Sequence, residues 1–454
     1  MPLWKHGRAT VLQELMATYR DGIELSVVRA LHAEVFGKME DAQVERILED
    51  RLRNGAFWAL KWATKYCPDV GRDVPINWQA LVDSILVGQS YDVLVDALKC
   101  GEIGSMALSL NRVSNEIVCY EGENLTGFDT EIVEHQQAGG PTHSHTALTS
   151  DDDQLTSKWS AGDYRRVVRQ LAELADSREG QIAVDRDFAT TVDGGEISIS
   201  QPTLVWLARP HHAPDAHVFD SLTVPQKMSG TFMWRARALL ETPIVNCAGK
   251  FCALSSDLKT IACVDDYMLR LAAREDEEQY SKVSGLREGR MLKACRSAFE
   301  SSNRGWTVRG PVPLADPPQE ADILASRSGE TLVIELKSTL RPEAPWEVYK
   351  RNEDIRRGIC QAESLVRRQV GNRGLIITDG YRGDYVCWEE ALRREVVIGT
   401  LEDLEELALD PDRVIQTMKT RAGIPAGEHG GRRLSDRKVK LFGWTLRLVD
   451  AAPH

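Results

Sequence analysis

Residues 320–338 read Glu-Ala-Asp-Ile-Leu-Ala-Ser-Arg-Ser-Gly-Glu-Thr-Leu-Val-Ile-Glu-Leu-Lys-Ser, and few folds accommodate such a run. Ala321 to Ser326 and Thr331 to Ser338 read as strands, and Ser328-Gly329 between them suits a two-residue turn. The spacing predicts a β-hairpin whose register sets Asp322 opposite Glu335. Side chains alternate along a strand, so Glu335 and Lys337 share one face while Ile334 and Leu336 take the other. The fold must place two carboxylates and an ammonium on one side of a hairpin and pack a core against the other.

Opposed carboxylates repel, so the arrangement costs free energy unless something cationic sits there. A divalent ion removes the repulsion. Hard oxygen donors suit Mg²⁺, with Mn²⁺ as the alternative, and Mg²⁺ takes only one or two protein carboxylates together with waters and phosphate oxygens. Such an ion acidifies its water and neutralises phosphate charge. Lys337 can hold the attacking water or stabilise developing negative charge.

The pattern Asp-x12-Glu-x-Lys across a hairpin followed by a helix resembles the PD-(D/E)xK nuclease superfamily, the restriction-endonuclease-like fold. The resemblance covers roughly residues 280 to 410. It implies that Asp322 and Glu335 bind metal and that Lys337 is the catalytic lysine. Relatives often carry a Glu on the preceding helix, and Glu288 fits; with Leu292, Cys295 and Phe299 it recurs at helical spacing. Some carry a Gln on the following helix, and Gln361 fits. Two departures stand: Ala321 replaces the usual Pro before the first Asp, and Leu365 replaces a Tyr four residues after the Gln. No subfamily is assigned.

Plainer readings exist for each position. Glu335 and Lys337 also suit the solvated face of an amphipathic strand. Glu288 also suits the first turn of a helix, where the dipole favours a carboxylate. Gln361 also suits an ordinary helix surface, and Trp58, Trp62 and Trp78 suit a packed core better than a base-stacking platform.

The net charge of −12 runs against a nucleic-acid partner, but its distribution is uneven. Residues 341–373 hold eight basic and five acidic side chains, and residues 411–454 hold nine and four. Arg356 and Arg357, near Gln361, are the candidates for steadying a phosphate backbone, and Arg432, Arg433, Arg437, Lys438 and Lys440 concentrate the later surplus. The nine cysteines are scattered in apolar contexts, which fits reduced thiols better than a disulfide framework. Cys247, Cys252 and Cys263 lack the spacing of a zinc site. His143 and His145 lie in the turn-rich segment 136–153, and His211, His212 and His217 in a Pro-rich loop; both read as loop residues. No apolar run approaches the roughly 18 residues of a membrane span, and the first residues lack a signal-peptide core. The expectation is a cytoplasmic chain with no membrane partner.

Periodicity divides the chain into a mainly helical region over 1–135, an α+β region over 154–275, a nuclease-like domain over 280–410 and a basic tail over 411–454. A helix over 264–283 and another over 286–302 are expected. Strands at 306–310, 374–378 and 396–399, with helices over 346–370 and 401–408, predict an α/β domain around a mixed sheet. The leading functional expectation is a Mg²⁺-dependent endonuclease acting on DNA rather than RNA, of a kind suited to bacterial defence. Dimerisation would suit cutting both strands, and the first 275 residues would answer an unknown trigger or partner. The alternative is a catalytically silent nucleic-acid or protein binding module on the same fold.

Overall fold

The computed structural model describes residues 2–35, 39–72, 74–102, 106–111, 116–121, 148–182, 189–192, 195–198, 203–224, 239–314, 319–338, 340, 342, 345–383, 385–422, 437–441 and 444–450. His143, His145, Arg341, Arg432 and Arg433 fall outside them.

Three long helices open the chain: α1 (Arg8–Val35), α2 (Met39–Tyr66) and α3 (Trp78–Glu102). Val11, Leu12, Leu15 and Met16 of α1 pack on Ala56, Phe57 and Leu60 of α2 and on Leu81 and Ile85 of α3. At Gly55 and Gly88 the α2 and α3 backbones meet, and a methyl on Gly88 would lie 2.2 Å from the Gly55 carbonyl oxygen. Trp58 is core, and its indole N–H donates to Asp92 at 2.8 Å.

Strands β1 (Met106–Asn111) and β2 (Glu116–Glu121) follow. The middle region contains α4 (Ala161–Ile182), a hairpin of β3 (Ala189–Val192) and β4 (Gly195–Ser198), β5 (Leu204–Leu207), α5 (Ala213–Ser221), β6 (Val245–Cys247), β7 (Lys250–Leu254), α6 (Ser255–Cys263) and α7 (Asp265–Glu275). Strands β5, β7 and β6 form an antiparallel sheet in that order, under a core that includes Trp159, Tyr164, Phe219 and Leu269.

Helix α8 (Glu277–Ser301) begins earlier than the sequence suggests. The break falls at Asp276, whose carboxylate caps the Gln279 N–H at 3.1 Å and also accepts from Ser157 N–H at 2.9 Å. The Asp276 cap starts the helix there, and Gly285 and Gly289 are carried in its exposed interior. The helix therefore crosses the expected boundary near 280. Its Val283 joins the middle core, while Met291, Cys295 and Phe299 join the C-terminal one.

The C-terminal half is α/β around a five-stranded mixed sheet. It comprises β8 (Thr307–Arg309), β9 (Val312–Leu314), β10 (Gln319–Ala321), β11 (Ile323–Arg327), β12 (Glu330–Lys337), α9 (Pro345–Arg367), β13 (Arg373–Thr378), α10 (Tyr385–Arg393), β14 (Val396–Thr400), α11 (Leu404–Leu409) and α12 (Pro411–Ala422). The sheet order is β14-β13-β12-β11-β8, parallel from β12 to β14 and antiparallel elsewhere, while β9 and β10 form a separate pair. Ser328 and Gly329 have φ of 47° and 84°, the positive values a type I′ turn requires. The hairpin takes the predicted register, with Ile323 opposite Ile334. Ile323, Leu332 and Ile334 face α8 and α11, and Val333 packs with Leu365 of α9.

One element had no counterpart in the sequence reading, and one expectation needs correction. Helix α10 lies between the expected strands, and Cys387 and Ala391, four apart, are both buried and seat it. Residues 411–454 are not simply a basic tail. Helix α12 buries Val414 and Ile415 in the domain core, and β15 (Arg437–Leu441) and β16 (Trp444–Asp450) complete a sheet ordered β1-β2-β16-β15. β16 runs parallel to β2, so the end of the chain closes on the strands that follow α3. Val439 and Leu441, then Trp444, Leu446 and Leu448, alternate with polar residues in the sequence, a strand pattern that attention to the basic charges passed over. Among the described residues no helix is long and apolar enough to cross a membrane.

Candidate functional site

Asp322 sits in the bend between β10 and β11, one step beyond the last paired residue of the hairpin. Its Oδ2 accepts from the backbone N–H of Leu336 at 2.7 Å, and its backbone amide favours the charged form of the neighbouring Glu335 carboxylate. The two carboxylates are thus held side by side by the hairpin backbone. Gly310 completes the hold: its φ is +155°, and a methyl there would lie 2.0 Å from the Asp322 carbonyl oxygen. Arg296 of α8 donates to the Gly310 carbonyl at 2.6 Å.

Glu335 is 1 % exposed. Burial and the nearby Asp322 charge push its carboxyl up to about 8, only partly offset by Lys337. Its Oε1 has no hydrogen-bond partner among the described residues. A buried carboxylate oxygen without a donor is costly, and protonation is one way to relieve it. Asp322 also reaches the α8 side, where burial and the Asp322 charge push the Cys295 thiol up to about 12.

Lys337 is half-buried. Its Nζ lies 3.7 Å from Glu335 Oε2 and donates to Gln361 Oε1 at 3.1 Å. The lysine stem lies along α9 at Gly358, where a methyl would meet Cε at 2.8 Å. Asp322, Glu335, Lys337 and Gln361 therefore gather at one point.

Three sequence candidates stay away from it. Glu288 is exposed. The buried stripe of α8 is Val283, Arg287, Met291, Cys295 and Phe299, so Glu288 is turned to solvent. It also lies well inside the helix rather than in its first turn. Arg356 pairs with Glu390 of α10 at 3.3 Å and ties two helices together. Arg357 is exposed and pairs with Asp354 at 3.1 Å, though it stands one turn before Gln361 on α9. The wider basic stretch is largely neutralised, since Arg351, Arg367 and Arg373 also have acidic partners.

Among the described residues no group of three or more His, Cys, Asp or Glu side chains converges to hold a metal. What remains is a carboxylate pair with an orphan oxygen, a donor set that fits Mg²⁺ better than Zn²⁺. Cys247 and Cys252 are buried with Sγ atoms 3.9 Å apart; exposed Cys263 belongs to α6.

The sequence did not point to a second charged cluster. Arg287 donates to Asp379 Oδ2 at 3.0 Å, and Ser338 Oγ donates to the same oxygen at 2.8 Å. Arg287 is 2 % exposed and Asp379 fully buried. The parallel pairing of Lys337 with Thr378 brings Ser338 and Asp379 together at the ends of neighbouring strands. Only knowledge of that pairing would have exposed the link.

The chain matches no protein family, no curated protein and no solved structure.

Proposed function

We propose that the protein is a Mg²⁺-dependent nuclease of the restriction-endonuclease-like kind, acting on DNA in preference to RNA. The observation that carries this reading is the gathering of Asp322, Glu335 and Lys337 with an unpartnered oxygen on the buried glutamate. Asp322 and Glu335 would hold the ion. Bound there, it supplies charge neutralisation on the scissile phosphate and a more acidic water.

The chain's own residues do the rest. Gln361 accepts from the Lys337 ammonium and steers it. The ammonium has three donors, and one can hold the attacking water or a phosphate oxygen. In hydrolysis, the water oxygen bonds to phosphorus, the phosphorus–oxygen ester bond breaks, and the leaving oxygen takes a proton. Gly310 and Leu336 fix where Asp322 stands. Glu288 and Arg356 have no part in this scheme; Arg357 is the remaining exposed cation beside Gln361.

The second reading is a nucleic-acid or protein binder without cleavage. Its support is the burial of Glu335 beneath α9 and the lack of a third ligating side chain among the described residues.

Supercoiled plasmid incubated with Mg²⁺, with EDTA, and with a Lys337→Ala variant separates the two. The nuclease reading expects nicking with Mg²⁺ only, lost in the variant. A gel shift without nicking favours the binder, and nicking that survives Lys337→Ala removes this site from consideration.

A further inference from the structure

The open end of the α1–α3 bundle has a composition unlike the rest of the surface. Of the exposed large apolar side chains among the described residues, Trp4 (39 %), Tyr66 (47 %), Val70, Val74 and Trp78 (61 %) all belong to it. Helix α1 starts there, α2 ends there and α3 starts there. Trp4 and Tyr66 lie with ring centroids 4.9 Å apart and planes 37° off parallel, leaving both rings partly open to solvent.

Cations are interleaved with these rings. Lys5, Lys65 and Arg72 are exposed, and Lys65 Nζ lies 5.2 Å from the Tyr66 ring centroid. Residues 2–8 and 65–78 together hold four Lys or Arg against two Asp in a chain of net charge −12. Asp69 is already paired with Arg8 at 2.8 Å. The N-termini of α1 and α3 add positive dipole ends.

The surface is also preformed. Arg8 N–H donates to Pro68 and Arg72 N–H to Lys5, at 2.7 and 2.9 Å. Gly7 and Gly71 touch so closely that a methyl on Gly71 would lie 1.9 Å from Gly7 N. The loop is therefore zipped to the N-terminal turn, and little ordering is left to oppose binding. Exposed apolar patches of this kind mark interaction sites.

We propose that this end of the bundle binds single-stranded nucleic acid, with bases stacked on Trp4, Tyr66 and Trp78 and phosphates on Lys5, Lys65 and Arg72. Rings with interleaved cations are what sequence-tolerant single-strand binding uses. A purely apolar protein partner would have no use for the cations. The inference stands on its own observations and does not need the carboxylate site to cleave.

The test is fluorescence anisotropy of the full chain with a labelled twelve-nucleotide oligothymidylate in EDTA, which separates binding from metal-dependent cleavage. Trp4→Ala with Trp78→Ala should weaken binding about tenfold or more, given about 1–3 kcal/mol per stacked base. Lys65→Glu with Arg72→Glu touches no core residue; it should weaken binding and flatten the salt dependence by a slope of about 1.4. Glu288→Ala, a control on the exposed face of α8, should leave affinity unchanged. The proposal is overturned if the wild type fails to bind, or if both double variants bind as tightly as it does. Loss confined to Lys337→Ala would move binding to the carboxylates. A change of sedimentation in the patch variants, without a change in affinity, would instead make the surface a contact between copies of this chain.

Discussion

The C-terminal sheet holds two buried charge clusters a few residues apart, and they are finished to different degrees. At the ends of β12 and β13, Asp379 receives both the Arg287 guanidinium and the Ser338 hydroxyl. One step back along β12, Glu335 has Lys337 only at 3.7 Å, a neighbouring carboxylate at Asp322, and one oxygen with no donor. The first cluster pairs its two opposite charges with each other, leaving only Arg287 Nε without a hydrogen-bond partner among the described residues, and locks α8 to the sheet. The second is short of positive charge around a glutamate that is itself almost wholly buried. Proteins keep such deficits where something else supplies the missing charge. The contrast, more than the presence of carboxylates, singles out the second cluster for function.

The largest expected effect breaks the finished cluster. Arg287→Ala leaves Asp379 buried without its counter-charge and should cost about 3–5 kcal/mol in urea unfolding. Replacing both partners with apolar residues, Arg287→Met with Asp379→Leu, should recover most of that loss. If the single variant costs nothing, Asp379 is not held as an ion and the comparison fails.

Next comes the unfinished cluster and its pH dependence. The Glu335 carboxyl stands at about 8 in the fold against an ordinary value of 4.5. The folded chain therefore binds more protons than the unfolded one between those values. This group's contribution is intact below about 4.5 and is lost as pH rises through about 8, on the order of a few kcal/mol in full. In metal-free buffer, wild-type stability minus that of Glu335→Gln should fall steadily from pH 5 to pH 8.5. A flat difference would show that Glu335 is ionised and compensated without help.

How much of this was legible beforehand differs between the two clusters for a physical reason. The hairpin register was readable because strand alternation and a Ser-Gly turn are local, and they fix Asp322 beside Glu335. Lys337 shares the face of Glu335 by strand alternation, whereas Gln361 came only from the resemblance to the nuclease superfamily. Arg287 and Asp379 are 92 residues apart, and nothing local announces that a charge is buried. The helix phase was read from Glu288 because the resemblance calls for a Glu on that helix and Leu292, Cys295 and Phe299 recur with it at helical spacing, whereas the buried stripe runs through Arg287. The helical character of the first hundred residues was visible in its periodicity, whereas the union of β16 with β2 spans most of the chain and left no local mark.

Mg²⁺ sharpens the comparison further. An ion bound only by the folded carboxylate pair stabilises the protein by about 2.7 kcal/mol at a hundred times its dissociation constant. Thermal unfolding should shift upward with Mg²⁺ or Mn²⁺ in the wild type, and more at pH 8 than at pH 6, because the ion competes with the proton on Glu335. Asp322→Asn should lose the shift while Ser338→Ala keeps it. A shift that survives Asp322→Asn would place the cation elsewhere.

The smallest effect concerns the carboxylate that sequence spacing favoured and the structure turns outward. Glu288 is exposed on α8 and touches neither cluster, so Glu288→Ala should change stability by no more than about 0.5 kcal/mol. It should also leave the Mg²⁺-dependent thermal shift and any plasmid nicking at wild-type levels. If Glu288→Ala instead abolished the shift, α8 would have to rotate by roughly one residue, about 100°. That rotation would pull Arg287 off Asp379 and undo the finished cluster, so the double variant Arg287→Met with Asp379→Leu would then respond to Mg²⁺ more strongly than the wild type. Measuring the two variants together asks whether α8 has one seat on the sheet or two.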